Sequence, residues 1–113
     1  MLIKKQERQR FENSKQCTAY EYPFEDPDID VALIEIRGRY PDKGYAINTQ
    51  VKEMIFVVKG KGHIVIEDKR SSLEEGAAVL VLPQKKYVLE GDFTLVISCN
   101  PAWSPKQHQT LEM

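Results

Sequence analysis

The sequence predicts an all-β protein that folds as one small barrel. Short apolar runs, rich in β-branched and aromatic residues, recur between Gly, Pro and Asp, which is typical of sandwiches and barrels. The runs are Val31–Ile36, Met54–Val58, His63–Glu67, Ala77–Leu82, Tyr87–Leu89 and Phe93–Cys99. A chain of 113 residues with 42% apolar residues can bury one core but is too short for two domains.

The N-terminal segment, residues 1–22, is the least regular part of the pattern. Half of its first dozen residues are charged, and they allow no more than a short N-terminal helix. Residues Lys15–Tyr22 are strand-like but have no obvious partner in the chain, so this segment could complete the sheet of a second copy. A homodimer is the assembly that we expect.

Residues 23–99 carry the predicted barrel, and their connectors predict its turns. Lys59–Gly62 holds two glycines and is expected to turn between consecutive strands. Glu67–Arg70 predicts a polar hairpin, Glu74–Gly76 a turn, and Glu90–Asp92 a tight reversal. Residues 100–113 form a tail that is expected to pack across the barrel, because Pro101 and Pro105 cannot donate to a sheet.

The overall composition excludes several classes of function. A net charge of −1 argues against nucleic-acid binding, which needs a basic surface. No stretch is long and apolar enough to span a membrane, and the charged start does not resemble a signal peptide, so a cytoplasmic location is expected. Cys17 and Cys99 have no metal or redox spacing, and Cys99 is interpreted as a buried small hydrophobe.

Between Gly44 and Gly91 the sequence resembles the cupin superfamily. Residues Glu53–Gly60 match the part of the first cupin motif that runs from its Glu to its Gly. Gly76 matches the start of the second motif, and Tyr87 stands eleven residues later, where the family has a histidine. The resemblance implies a small jelly-roll barrel of the cupin type with an internal cavity, and it covers less than half of the chain.

The same resemblance implies that the usual metal site is degenerate. Ala46 and Asn48 stand where the motif has two histidines, and Tyr87 replaces the third, so Glu53 is the one ligand position that keeps its residue type. A cupin centre combines several imidazoles with one carboxylate. With the shorter spacing that the motif also allows, Ile47 and Thr49 would fill the first two positions, and neither is a histidine. We therefore expect neither a tightly bound transition metal nor any other cofactor.

The predicted pocket has three polar side chains, those of Asn48, Glu53 and Tyr87, over an apolar floor of Ile55 and Val57. This set suits a small polar ligand such as a sugar, a hydroxy acid or a similar metabolite. Two alternatives stay open. The chain could be an enzyme, either an isomerase or epimerase with Glu53 as base and Tyr87 as acid or a metalloenzyme with unusual ligands. It could also be a structural subunit without a ligand.

Several residues have simpler interpretations beside these. Glu53 could be a rim carboxylate, Asn48 a turn residue and Tyr87 a core aromatic. His63 and His108 are interpreted as surface or edge histidines, and Trp103 as the packing anchor of the tail rather than a lid. The sequence assigns no catalytic residue.

Overall fold

The computed structural model describes residues 1–112 and places nine strands among them in one sheet. The strands are β1 (Gln9–Ser14), β2 (Cys17–Glu21), β3 (Asp30–Tyr40), β4 (Tyr45–Asn48), β5 (Lys52–Ile66), β6 (Lys69–Leu73), β7 (Ala78–Val81), β8 (Tyr87–Asn100) and β9 (His108–Leu111). Two 3₁₀ turns complete the secondary structure, at Lys5–Glu7 and Pro105–Gln107. The predicted all-β class is confirmed.

The long strand β8 organises the barrel, because it pairs with β3 along one edge and with β5 along the other. The rest of the sheet continues outward as β2 and β1 beyond β3, and as β7 and β6 beside β5. Strands β4 and β9 pair with each other, and β4 also pairs with the start of β8. This arrangement curls the sheet around an apolar interior, which contains Ile36, Ile55, Ile64, Leu89, Phe93 and Leu95.

Two of the predicted turns are wrong, because their glycines bend strands instead of reversing them. Lys59–Gly62 lies inside β5, and Glu90–Asp92 lies inside β8. Gly91 pairs with Gly62 on one side and with Gly38 on the other, so a row of glycines crosses three strands. A β-carbon on Gly91, whose φ is +154°, would collide with the backbone of Gly62. Glycine therefore lets the sheet fold sharply at a barrel corner.

The other two predicted turns are confirmed. Glu67 and Asp68 connect β5 to β6 with φ values of 48° and 70°, the left-handed pair that a two-residue hairpin requires. Gly76 has a φ of 86° in the turn that leads into β7. Both turns have their predicted residues at the positions where positive φ is needed.

The N-terminal segment belongs to the same sheet as the barrel. Only Lys5–Glu7 are helical, as a single 3₁₀ turn, and β1 follows almost at once. Strand β2 pairs with β1 and β3 of its own chain, so these residues already have the partners that the sequence left unidentified. The homodimer stays a prediction.

One surface of the barrel is unusually apolar for an exposed face. Alternate residues of β5 and β7 point outward while their neighbours point into the core. We call this surface the apolar outer face; it consists of Met54, Phe56, Val58, Leu80 and Leu82, each between 44% and 47% exposed.

Within residues 1–112, no helix has the length and apolar character needed to cross a membrane.

Candidate functional site

The barrel encloses a cavity of about 940 Å³, near the upper end of the usual range for small-molecule sites. Its walls come from both halves of the sheet, from the loop after β3 and from the C-terminal tail. Most of the lining is apolar. The polar side chains of the wall include those of Glu21, Asp30, Tyr40, Asp42, Lys43, Glu53, Tyr87 and His108.

Glu53 is a buried carboxyl group in the wall of this cavity, with 6% of its surface exposed. It lies on β5 between Lys52 and Met54, which point outward, so strand alternation turns its side chain inward. Its Oε2 accepts a weak hydrogen bond from Cys99 Sγ at 3.7 Å. Its Oε1 has no hydrogen-bond partner of good geometry among the described residues.

The pKa of Glu53 is raised above its ordinary value of 4.5, chiefly because burial disfavours the charged form. The Tyr87 hydroxyl and the Asn48 amide are close enough to favour the carboxylate and partly oppose this rise, although neither satisfies Oε1. Burial, together with the nearby Glu53 charge, raises the pKa of Tyr87 well above 10. Tyr87 therefore remains a neutral phenol, and the raised pKa of Glu53 means that its carboxyl group binds a proton at a higher pH than an exposed Glu does.

Asn48 lies behind the cavity wall rather than among the residues that line it. Its Oδ1 receives two hydrogen bonds, from Gln107 Nε2 at 2.9 Å and from His108 Nδ1 at 2.8 Å. Its Nδ2 is buried and has no partner among residues 1–112. Asn48 thus connects the end of β4 to the start of β9, where it is paired with His108.

Ile55 and Val57, which were predicted to form the floor of the pocket, are not part of the cavity lining either. Both are fully buried members of the apolar core, but they are not among the side chains that form the cavity wall. Of the five residues predicted to contact a ligand, Glu53 and Tyr87 line the cavity, whereas Asn48, Ile55 and Val57 are buried outside its lining.

Among the lining residues that were not predicted as site residues, Tyr40, Trp103 and His108 lie together. The Tyr40 hydroxyl lies 2.9 Å from His108 Nε2, and the Trp103 ring lies 5.4 Å from the imidazole, centroid to centroid. The tail carries two of these residues into the wall, since β9 pairs with β4. Their aromatic character was the one available signal in the sequence, because only the fold brings residues 40 and 108 together.

Comparison with known proteins gives a match in structure alone. No family model and no curated protein sequence matches the chain. A variant of Streptomyces PAC13 solved with uridine superposes with a TM-score of 0.91 at 17% identity, covering 100% of this chain and 91% of that one. An RmlC-like cupin from Shewanella frigidimarina superposes with a TM-score of 0.70 at 17% identity, covering 86% of each chain. The chain has the cupin fold.

A second structure of Pac13 and a structure of one further protein have the same fold. The structure of Pac13, a unique nucleoside dehydratase, gives a TM-score of 0.90 at 17% identity, covering 100% of this chain and 92% of that one. KdgF from Halomonas sp. gives a TM-score of 0.74 at 13% identity, covering 94% of this chain and 97% of that one. The superpositions establish the fold. At identities of 13–17%, the chemistry of the site has to be inferred from the residues of this chain.

The residues at the cupin motif positions do not fit a transition metal. Ala46 has no donor atom, and the one oxygen of the Asn48 side chain already accepts two hydrogen bonds. The nearby His108 has both ring nitrogens engaged, with Asn48 and with Tyr40. Among residues 1–112, no group of three or more His, Cys, Asp or Glu side chains is arranged to hold a metal ion.

The charge of the cavity wall is strongly one-sided. Four carboxyl groups line it, those of Glu21, Asp30, Asp42 and Glu53, whereas Lys43 is the only Lys or Arg among the lining residues of the described chain. Burial, together with the nearby Asp30, raises the pKa of Glu21. The carboxyl groups of this wall oppose the entry of anions when they are charged.

Proposed function

We propose that this chain binds an uncharged, hydroxylated small molecule, of the class of sugars and nucleosides, in the cupin cavity and without a metal. The observation that carries this proposal is the Glu53 carboxyl in the cavity wall, which is 6% exposed and accepts one weak hydrogen bond of good geometry, from Cys99. Leaving a buried polar atom unpaired costs about 1–3 kcal/mol. A ligand hydroxyl that donates to the part of the carboxyl group exposed to the cavity improves the pairing of this buried group.

The charge of the cavity wall narrows the ligand class. A hydroxy acid or a phosphorylated sugar would bring its negative charge beside Asp30 and Asp42, in a wall where burial already disfavours the charged forms of Glu21 and Glu53. Like charges in a partly desolvated site repel each other strongly. The acidic lining therefore favours the uncharged members of the predicted ligand class over the hydroxy acids.

The size of the cavity and the structural neighbours support the nucleoside end of this class. A volume of about 940 Å³ leaves room for a sugar that carries a base. PAC13, which shares this fold over the whole of our chain, was solved with uridine. The aromatic rings of Tyr40 and Trp103 offer flat surfaces on which a base could stack.

Thermal unfolding in the presence of uridine, ribose, glucose and uridine monophosphate tests the proposal. A ligand at 100 times its dissociation constant adds about 2.7 kcal/mol to the free energy of unfolding. For a domain of 113 residues that corresponds to a rise in Tm of roughly 10 °C. We expect at least one uncharged compound to raise Tm and the phosphate to have little effect.

The matched variants Glu53→Gln and Glu74→Gln locate the binding site. Glu74 is exposed and lies outside the cavity, so its variant should keep the ligand-induced shift. The Glu53 variant should lose most of the shift. The proposal is wrong if none of the uncharged compounds raises Tm, or if both variants respond like the wild type.

A second candidate, acid–base catalysis, is favoured by the raised pKa of Glu53. A carboxyl group that is easily protonated can exchange a proton with a carbon next to a ligand carbonyl, as isomerases and epimerases require. Incorporation of solvent deuterium into a bound sugar, followed by NMR, tests this candidate. Incorporation should stop in Glu53→Gln, and exchange that survives in that variant would exclude Glu53 as the proton carrier.

A further inference from the structure

The orientation of the Gln107 amide is fixed by the backbone. Its Oε1 faces the N–H groups of Gln50 and Val51, each at 3.2 Å, and a carbonyl oxygen is the only end of the amide that can accept from both. Its Nε2 must therefore donate to Asn48 Oδ1, 2.9 Å away. Gln107 is itself 3% exposed, so water does not compete for these bonds.

The orientation of Asn48 then fixes the proton on His108. Since Asn48 Oδ1 can only accept, the nitrogen that faces it at 2.8 Å, His108 Nδ1, must carry hydrogen. Burial lowers the pKa of His108, so the imidazole stays neutral at ordinary pH. A neutral imidazole with hydrogen on Nδ1 has a bare Nε2, which can only accept a hydrogen bond.

The bare nitrogen determines what Tyr40 can do in the cavity. The Tyr40 hydroxyl lies 2.9 Å from His108 Nε2 and must donate its single proton there. Toward the cavity, the Tyr40 oxygen is left with lone pairs alone. A side chain that would otherwise donate or accept is thereby restricted to accepting.

We propose that Tyr40 and His108 form a subsite that accepts a hydrogen bond from one hydroxyl group of the ligand. This inference rests on the proposed binding function. It adds that, in one hydrogen bond between the ligand and the protein, the ligand donates and Tyr40 accepts. Tyr40 touches the ligand, while His108, Asn48 and Gln107 are positioning residues that set the direction of the bond. A ligand that offers only an acceptor at this point leaves two lone pairs facing each other and is rejected.

Nitrogen NMR of the His108 ring tests the subsite without any ligand. The chain has two histidines, His63 and His108. The signals that disappear in His108→Phe are those of His108. We expect hydrogen on Nδ1 and a bare Nε2 in the wild type, and a shift of the Nε2 resonance in Tyr40→Phe. Hydrogen on Nε2 would overturn the proposal, because Tyr40 would then have its own proton free for the cavity.

Binding of uridine, and of the analogues that each lack one of its hydroxyl groups, tests what the subsite recognises. We expect the wild type to bind one analogue at least tenfold more weakly, and Tyr40→Phe to bind that analogue and uridine equally. Tyr45→Phe is the matched control, because Tyr45 lies outside the cavity lining. A Tyr40 variant that keeps the full discrimination overturns the subsite. If the wild type binds neither uridine nor the sugars, the proposed function fails. The polarity of the subsite is then decided by the NMR experiment alone, which shows which ring nitrogen of His108 carries the hydrogen.

Discussion

Replacing Glu53 by Gln should stabilise the protein while removing ligand binding. The carboxyl is 6% exposed, its Oε1 has no partner among the described residues, and its pKa is raised by burial, so its charged form destabilises the folded state. An uncharged amide of nearly the same shape avoids that cost. Removing a buried and poorly paired charge should add about 1–3 kcal/mol to the free energy of unfolding near pH 8.

The pH dependence of this gain follows from the sign of the pKa shift. Because the folded pKa lies above the ordinary value of 4.5, the folded state holds a proton that the unfolded state has already released. The stability of the wild type relative to the variant therefore falls as pH rises from 4.5 through the folded pKa. Above that pKa the difference is constant, and below 4.5 this contribution disappears.

Urea unfolding of both proteins between pH 4 and pH 8 measures the effect. In thermal melts of the same proteins, with an unfolding entropy of about 2.1 cal/mol/K per residue, 1–3 kcal/mol corresponds to roughly 4–13 °C in Tm for 113 residues. Glu74→Gln serves as the control and should unfold like the wild type. A Glu53 variant that is no more stable at pH 8, or whose gain does not change with pH, would refute the burial argument.

Three further predictions concern the rest of the fold. Gly91→Ala should lower the free energy of unfolding by about 2 kcal/mol more than Gly76→Ala in urea melts, because both positions have positive φ but only Gly91 also crowds a neighbouring strand; equal losses would contradict the barrel corner at Gly91. Cys17 and Cys99 line the cavity, but burial raises the pKa of both thiols, that of Cys17 to about 11, so iodoacetamide at pH 8 should label both much more slowly than it does after urea is added. Light scattering should give a dimer that Phe56→Lys, in the apolar outer face, converts to monomer, and a monomeric wild type would remove that prediction.

The barrel could be predicted from the sequence because its signals are local. Alternating apolar strands, the Glu67–Asp68 hairpin and the spacing from Glu53 to Gly60 each depend on neighbours in the chain. The same local pattern places Glu53 on an inward-facing position of β5. The identity of Ala46 is enough to show that this position has no ligand atom for a metal. The all-β class, the cupin resemblance and the loss of the histidine ligands are therefore determined by the order of the residues alone.

The remaining features depend on contacts between distant parts of the chain. Glycine permits both a reversal and a bend, and only the pairing of Gly91 with Gly62 and Gly38 shows that these strands continue through a corner. Likewise, a histidine in the tail gains a role only when β9 pairs with β4 and brings His108 within 2.9 Å of Tyr40. Side-chain alternation is a property of one strand, whereas a cavity wall and a fixed proton are properties of several strands packed together.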